Sequence, residues 1–314
     1  MSTSSKNMRI ILIGQAAFGK DVFEALYKNN ENIAGVFCPP STSNNKQDPL
    51  KISADQKQVP VFQFSKMRSK EAILQFKNLA PDLCIMAFVT DIIPSEILEF
   101  PSIGTIQYHP SLLPKHRGPS SMNWPIIQGE TETGVTIFWP DENLDTGPIL
   151  LQKKVAIETI DTLGSLYFTK LYPMGIDAFL EAVTLIKSGK IYRSKQDDSN
   201  ATYESWCKPK DVIINWNHNT NSIYNLVRGS DPSPGANTNF KNNKLYLYGA
   251  TISKQATLYN PGEIIGINSH SITIATRDGA IEFAKARLNS GSKLSANEII
   301  NTANILTGDI LGTN

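Results

Sequence analysis

The strongest constraint on this chain is a series of short, unbroken apolar runs, most of them closed by glycine or proline. They are "MRIILIG" at 8–14, "IAGVFCP" at 33–39, "PDLCIMAF" at 81–88 and "SIGTIQYHP" at 102–110, followed by "TGVTIFWP" at 133–140. Runs of this kind fit strands buried on both faces, as in a parallel sheet. "QVPVFQF" at 58–64 reads as a further short strand. Between the runs lie helical patterns, "FGKDVFEALYKNN" with Val22, Phe23 and Leu26 on one side, and "SKEAILQFKNLA". Strands alternating with helices predict right-handed crossovers and an α/β, doubly wound, mostly parallel sheet. Asp161 is the expected N-cap of a long helix running to Lys187, kinked or split at Pro173 and stopped by Gly189.

The pattern then changes. Residues 191–209 are polar and read as a linker between a domain at 1–190 and a second at 210–314. Beyond it, "KLYLYGATIS" and "GEIIGINSHSITIATRDGAIEFAKARL" are short alternating strands. Asp278-Gly279 predicts a hairpin between Ile272/Ile274 and Ile281/Phe283. Several such strands predict a small C-terminal β-barrel.

Length and composition set bounds. With 314 residues, 40% of them hydrophobic, the chain supports about two domains with real cores. Its 30 basic and 29 acidic residues leave a net charge of +1, which excludes nucleic-acid binding by bulk charge but not by a local patch. Lys46, Lys51 and Lys57, with Lys241 and Lys244 on the barrel, are the candidates for such a patch. Cys38, Cys84 and Cys207 are widely spaced and form no CxxC pair, so neither a zinc finger nor a redox motif is expected, and reduced thiols fit best. The N-terminus lacks the pattern of a signal peptide, and no run approaches the ~18 apolar residues of a membrane span. A cytoplasmic protein without a membrane partner is expected; oligomeric state is left open.

"GQAAFGK" at 14–20 matches most of a P-loop, yet Asp21 stands where a Ser or Thr should hold magnesium. A strand-to-helix turn in which Gly14 and Gly19 permit close backbone approach is the expectation.

His109 lies just past a central strand, where open α/β sheets bind ligands. A lone histidine in such a place is as readily a packed one. Gln107, two residues earlier, faces the same side of the strand, and Asp145, in the loop after the next strand, is positioned to reach the imidazole. A carboxylate there orients the ring. Arg117-Gly118 is expected to open a helix whose first N–H groups meet a polar ligand. His116 reads as a loop residue, and His218 and His270 stand apart.

The stretch "HPSLLPKHRGPSSMNWPIIQGETETGVTIFWPDENLDTGPILLQ" at 109–152 resembles the signature of the 10-formyltetrahydrofolate-dependent formyltransferases. "IGQAAFG", "QDPL", "VPVFQFSKMR" and "IQYHPSLLPKHRG" make about the first 190 residues most similar to the N-terminal hydrolase domains of 10-formyltetrahydrofolate dehydrogenases. "INWNHNTNSIYNLVRGSDPSPGA" and "GSKLSANEIINTANILTGDILG" resemble the C-terminal barrel of the methionyl-tRNA formyltransferases. The resemblance implies formyl transfer from 10-formyltetrahydrofolate, with His109, Asp145 and Gln107 in the places of the family's His, Asp and Asn. Gln107 departs from the family's Asn by one methylene, a change that the dehydrogenase-type domains share in kind. The resemblance also implies that Met86, Phe88, Val89, Ser111, Leu112, Arg117, Gly118 and Asp141 line the folate site. The implied acceptors are the amine of initiator methionyl-tRNA, water, or a sugar amine. Neither a metal nor NADP is expected.

Overall fold

The computed structural model describes residues 8–41, 47–253 and 258–312. The chain divides into two compact units. The first holds residues up to 118 with 134–155 and 169–203; the second holds 119–133, 156–168 and everything from 204 onward. The segment 191–203 therefore belongs to the first unit, where a linker was expected, and two excursions of the first half belong to the second.

The elements follow in order as β1 (Arg9–Gly14), α1 (Ala16–Lys28), β2 (Asn32–Cys38), α2 (Pro49–Gln56), β3 (Val61–Gln63), α3 (Lys70–Asn78) and β4 (Leu83–Ala87). Next come α4 (Ser95–Leu98), β5 (Gly104–His109), α5 (Asn123–Ile127), β6 (Glu132–Phe138), β7 (Ile149–Ala156), α6 (Leu163–Leu166) and α7 (Tyr172–Lys187). The seven-stranded sheet runs β3-β2-β1-β4-β5-β6-β7. Its pairings from β3 to β5 are parallel, as the apolar runs predict, whereas β6 lies antiparallel to β5. β1 and β4 sit in the middle and are buried almost throughout, which is why they carry no polar alternation. Ile11, Ile13, Phe37, Phe76, Cys84 and Met86 fill one core. Phe18, Tyr108 and Phe179 form an aromatic cluster, with the Phe18 and Tyr108 rings 4.6 Å apart.

The β1–α1 turn is a packing device. A Cβ on Gly14 would stand 2.7 Å from Ala87 O, closer than any side chain tolerates. The Ala16 N–H goes to the Asp48 carboxylate, the N-cap of α2, and Asp21 accepts from the Tyr172 hydroxyl. These contacts bear out the turn reading over a phosphate cradle.

The expected helix at 161–187 is built in three pieces. Thr162, not Asp161, caps α6, a π-helical stretch follows at Tyr167–Leu171, and Pro173 sits in the first turn of α7. The π-helical stretch ends just before Pro173, so its missing N–H falls where the hydrogen-bond pattern changes. Gly189 ends the helix at φ +77°. The expected helix after Arg117-Gly118 is only α5, which starts five residues past Gly118.

The second unit adds α8 (Thr220–Gly229), β8 (Ala236–Phe240), β9 (Asn243–Ser253), β10 (Ile264–Ile267), β11 (Ile272–Ala275), β12 (Ala280–Leu288), β13 (Leu294–Ser295) and α9 (Ala296–Ala303). Its barrel-like sheet runs β10-β11-β12-β9-β8, with β13 on β12. Ile272 faces Phe283 and Ile274 faces Ile281 across the hairpin. The turn is closed by Thr276 N–H to Gly279 O, and Asp278 accepts from Thr220 N–H and Oγ1. Trp216, Phe240, Leu245, Leu247, Ile281 and Phe283 build the core.

Candidate active site

His109 is the last residue of β5 and is buried. Its Nε2 lies 2.8 Å from His116 O. A carbonyl only accepts, so Nε2 carries the hydrogen. Nδ1 then faces Asp145 Oδ2 at 3.5 Å. Both side chains are 7% exposed, so this pair interacts largely out of water. Asp145 Oδ2 also accepts from Gly118 N–H at 2.8 Å, which leaves Oδ1 without a protein donor among the described residues.

Asp145 does not arrive by the simple route that neighbouring strand ends would give. β6 is antiparallel, so Thr136 stands opposite His109 and Phe138 opposite Gln107. The chain leaves β6 moving away from the imidazole, and 139–147 must fold back to deliver the carboxylate. The fold-back needs glycine at 147, where a Cβ would land on Trp139 O. It holds Asp145 itself at φ +56°, a left-handed conformation that non-glycine residues adopt at a cost of about 1–2 kcal/mol. Asp141 Oδ1 ties the outer turn, accepting from Asn143 N–H and Thr146 Oγ1.

The loop after His109 is equally fixed. Ser111 is buried, with its hydroxyl on Lys115 O and its carbonyl accepting from Thr136 Oγ1. Leu112 packs its Cδ2 beside Gly134. Arg117 is 1% exposed and is not aimed at a ligand. It gives Nε and Nη2 to Gln196 Oε1, Nη2 to Asp198 and Nη1 to Tyr203. Burial works against its charge, but Asp198 and Tyr203 more than compensate and raise its pKa above the ordinary value. The Gly118 N–H, expected at a helix start, instead serves Asp145.

The remaining expected site residues do not join this hydrogen-bonded group. Gln107 is half-buried and makes no side-chain hydrogen bond among the described residues. Met86 is buried in the core rather than lining a site. Phe88, at φ +60° and largely exposed, and Val89 line a cavity of about 240 Å³ at the ends of β1 and β4, with Phe37, Cys38, Phe64 and Gln15. Arg117 and Asp141 border a different cavity of about 710 Å³. Burial pushes the Cys38 thiol up to about 12 and the Cys207 thiol to about 11, so neither is a ready nucleophile. Among the described residues no cluster of metal-ligating side chains forms, and no helix is long and apolar enough to cross a membrane.

The sequence pattern missed Gln196, Thr202 and Tyr203. Thr202 Oγ1 accepts from His116 N–H, Thr202 O from Arg117 N–H, and Gln196 Nε2 donates to Asp145 O and Gly147 O. A glutamine and a Thr-Tyr pair inside "SKQDDSNATYE" were the available signal, hidden by the charged residues around them.

The basic candidates, three on the first unit and two on the second, are mostly spoken for. Lys51 is paired with Asp55 and Lys241 with Asp309, while Lys46 lies outside the described residues. Lys57 sits against the Tyr27 ring, and Lys244 is half-buried on β9. A different face, on the second unit, gathers Lys285 and Arg287, the latter over Tyr246 at 4.0 Å, beside Lys293, which lies over Tyr248 at 3.6 Å and is itself paired with Asp231. His218 and His270 are exposed in this unit, and neither belongs to the site described above.

Comparison with known proteins matches residues 8–182 to the formyl transferase family and 207–304 to the formyl transferase C-terminal domain. The chain is 34% identical to a methionyl-tRNA formyltransferase of Geotalea daltonii, over 97% of this chain and 98% of that one. It is 36% identical to the mitochondrial 10-formyltetrahydrofolate dehydrogenase of Homo sapiens over 93% of its length, but spans only about a third, 32%, of that protein. The fold is shared with HypX from Aquifex aeolicus, solved in complex with tetrahydrofolic acid, at a TM-score of 0.70 and 19% identity, over 94% of this chain and 47% of that one. The chain belongs to the formyl transferase family.

Proposed function

We propose that this chain takes the formyl group from 10-formyltetrahydrofolate and passes it to an amine, with methionyl-tRNA as the leading acceptor. The carrying observation is the buried His109–Asp145 pair at the end of β5, held by Gly118 N–H and His116 O. The acceptor nitrogen adds to the formyl carbon, and the carbonyl electron pair moves onto oxygen. His109, through Nδ1, and the Gln107 amide stabilise that oxyanion, the kind of contact whose loss costs about 10²–10³ in rate. Asp145 Oδ1 organises the water that carries the acceptor's proton to the leaving N10, and the C–N10 bond breaks. The full-length likeness to a methionyl-tRNA formyltransferase and the basic face of Lys285 and Arg287, the latter over Tyr246, favour the tRNA amine.

A second reading has water as the acceptor. It is favoured by the likeness to the dehydrogenases and by Gln107, whose longer arm departs from the family's Asn. Tetrahydrofolate release from 10-formyltetrahydrofolate separates the two. Release only with charged initiator tRNA supports the transferase; release without acceptor supports the hydrolase; both should vanish in His109→Ala. Activity that survives in His109→Ala would sink the site assignment, and activity only with amino sugars would replace the acceptor.

A further inference from the structure

We propose that Gln196 is a positioning residue for the reaction, holding the folded-back Asp145 loop so that the carboxylate meets His109. The proposal rests on the assignment of Asp145 given under Proposed function.

Gln196 is 4% exposed, and every hydrogen-bonding position of its carboxamide is used. Arg117 Nε and Nη2 both donate to Oε1, at 3.1 and 2.8 Å. A guanidinium has no acceptor, so this contact fixes which way the amide points. Nε2 is thereby turned to the loop and gives one hydrogen to Asp145 O at 2.9 Å and one to Gly147 O at 2.7 Å. The guanidinium is held further by Asp198, which takes Nη2 at 2.7 Å, and by Tyr203, which takes Nη1 at 2.6 Å. The two carbonyls that Gln196 grips flank the part of the loop that most needs holding. Asp145 has a left-handed φ of +56°, and Gly147 marks the tight closure against Trp139. β6 directs the chain away from His109, so the 3.5 Å approach of the carboxylate to Nδ1 depends on whatever keeps the loop folded back. The same Arg117 stands beside Gly118, whose N–H fixes Asp145 Oδ2. One carboxamide thus couples the loop after β5 to the loop before β7. Gln196 lies between the two matched family regions, which end at 182 and resume at 207.

The test compares Gln196→Met, which removes donors and acceptor, with Gln196→Glu, which keeps an oxygen for Arg117 but loses the donors. Each is made alone and with Asp145→Asn, and kcat and KM for 10-formyltetrahydrofolate, tetrahydrofolate binding and Tm are measured. A loop displaced by about 1 Å predicts a kcat loss on the order of 10–100-fold. The expected result is that loss, with KM and tetrahydrofolate affinity changed less than about threefold and Tm kept in at least one variant; in the Asp145→Asn background the second substitution adds less than about twofold, the non-additivity of two residues acting as one. Full kcat in both Gln196 variants, while Asp145→Asn is impaired, overturns the proposal alone. So does a Gln196 cost that persists undiminished beside Asp145→Asn, or a fall in Tm and folate binding in both variants, which marks a merely structural residue. Full turnover in Asp145→Asn itself would overturn the assignment of Asp145 and the proposal with it.

Discussion

In the first unit the buried polar side chains His109, Ser111, Arg117, Asp145 and Gln196 gather around the end of one strand and bond chiefly to one another or to the loops beside them. In the second unit Thr220, Ser230, Asn237 and Thr238 are just as buried but dispersed. Each ties a turn, helix end or strand to a local partner: Asn237 reaches Pro209 O and Val212 O, Thr238 takes Trp216 Nε1, and Ser230 caps the carbonyls of Leu226 and Val227. Burying a polar group costs free energy unless it is fully bonded, so where such groups cluster shows what the stability of the rest is being used to hold. The first unit concentrates them where a carboxylate must be kept at an imidazole. The second distributes them to fix a sheet and leaves its distinctive chemistry on the outside.

That contrast is open to attack from both sides. The largest effect is expected from Phe283→Ala, which empties the barrel core. It should cost about 3–5 kcal/mol in denaturant unfolding while the turnover per folded molecule stays near wild type. A large loss of turnover at full occupancy of the folded state would blur the division. Next, His109→Ala should lower turnover by about 10²–10³ and leave Tm within a few degrees, because the ring belongs to the site rather than to the core. A collapse of Tm instead would make this histidine a packing residue. Third, Arg287→Ala should raise the KM for charged tRNA about tenfold and reduce the salt slope of tRNA binding by about 0.9, one phosphate contact, with tetrahydrofolate affinity untouched. An unchanged salt slope would remove the outer face of the barrel from tRNA recognition. The smallest effect belongs to Asp278, whose carboxyl is held below its usual range by the Thr220 backbone and side-chain hydrogen bonds. A depressed pKa contributes stability above the unfolded carboxylate value of about 3.9, and that stability is lost as pH falls through the folded value. Asp278→Asn should therefore flatten the acid side of the unfolding curve slightly and leave the site's pH profile alone.

Much of this was legible in the chain. The buried strands β1 and β4 have no polar alternation to disguise them, and the Asp278-Gly279 hairpin declares its own register. His109 and Asp145 were legible as a pair because strand position and motif agree on them. What was not legible depends on partners remote in sequence. β7 alternates at the sheet's edge and reads as an extension of the loop before it, and α2 is short and weakly amphipathic. Met86 and Arg117 were expected at the ligand; neighbouring side chains bury Met86 in the core, and Gln196, Asp198 and Tyr203 claim Arg117. The run at 191–203 has the composition of a solvated connector. Its buried glutamine becomes visible only once the two loops it bridges are folded.

That run also bears on how the chain can be divided. The long helix ends at Gly189, and a natural dissection would cut there, retaining both His109 and Asp145. Such a fragment would strip the Arg117 guanidinium of each of its side-chain acceptors and would release the carbonyls of residues 145 and 147. Limited proteolysis between Ser194 and Tyr203 should therefore abolish turnover while both His109 and Asp145 stay in the chain, and a fragment worth isolating extends through Tyr203.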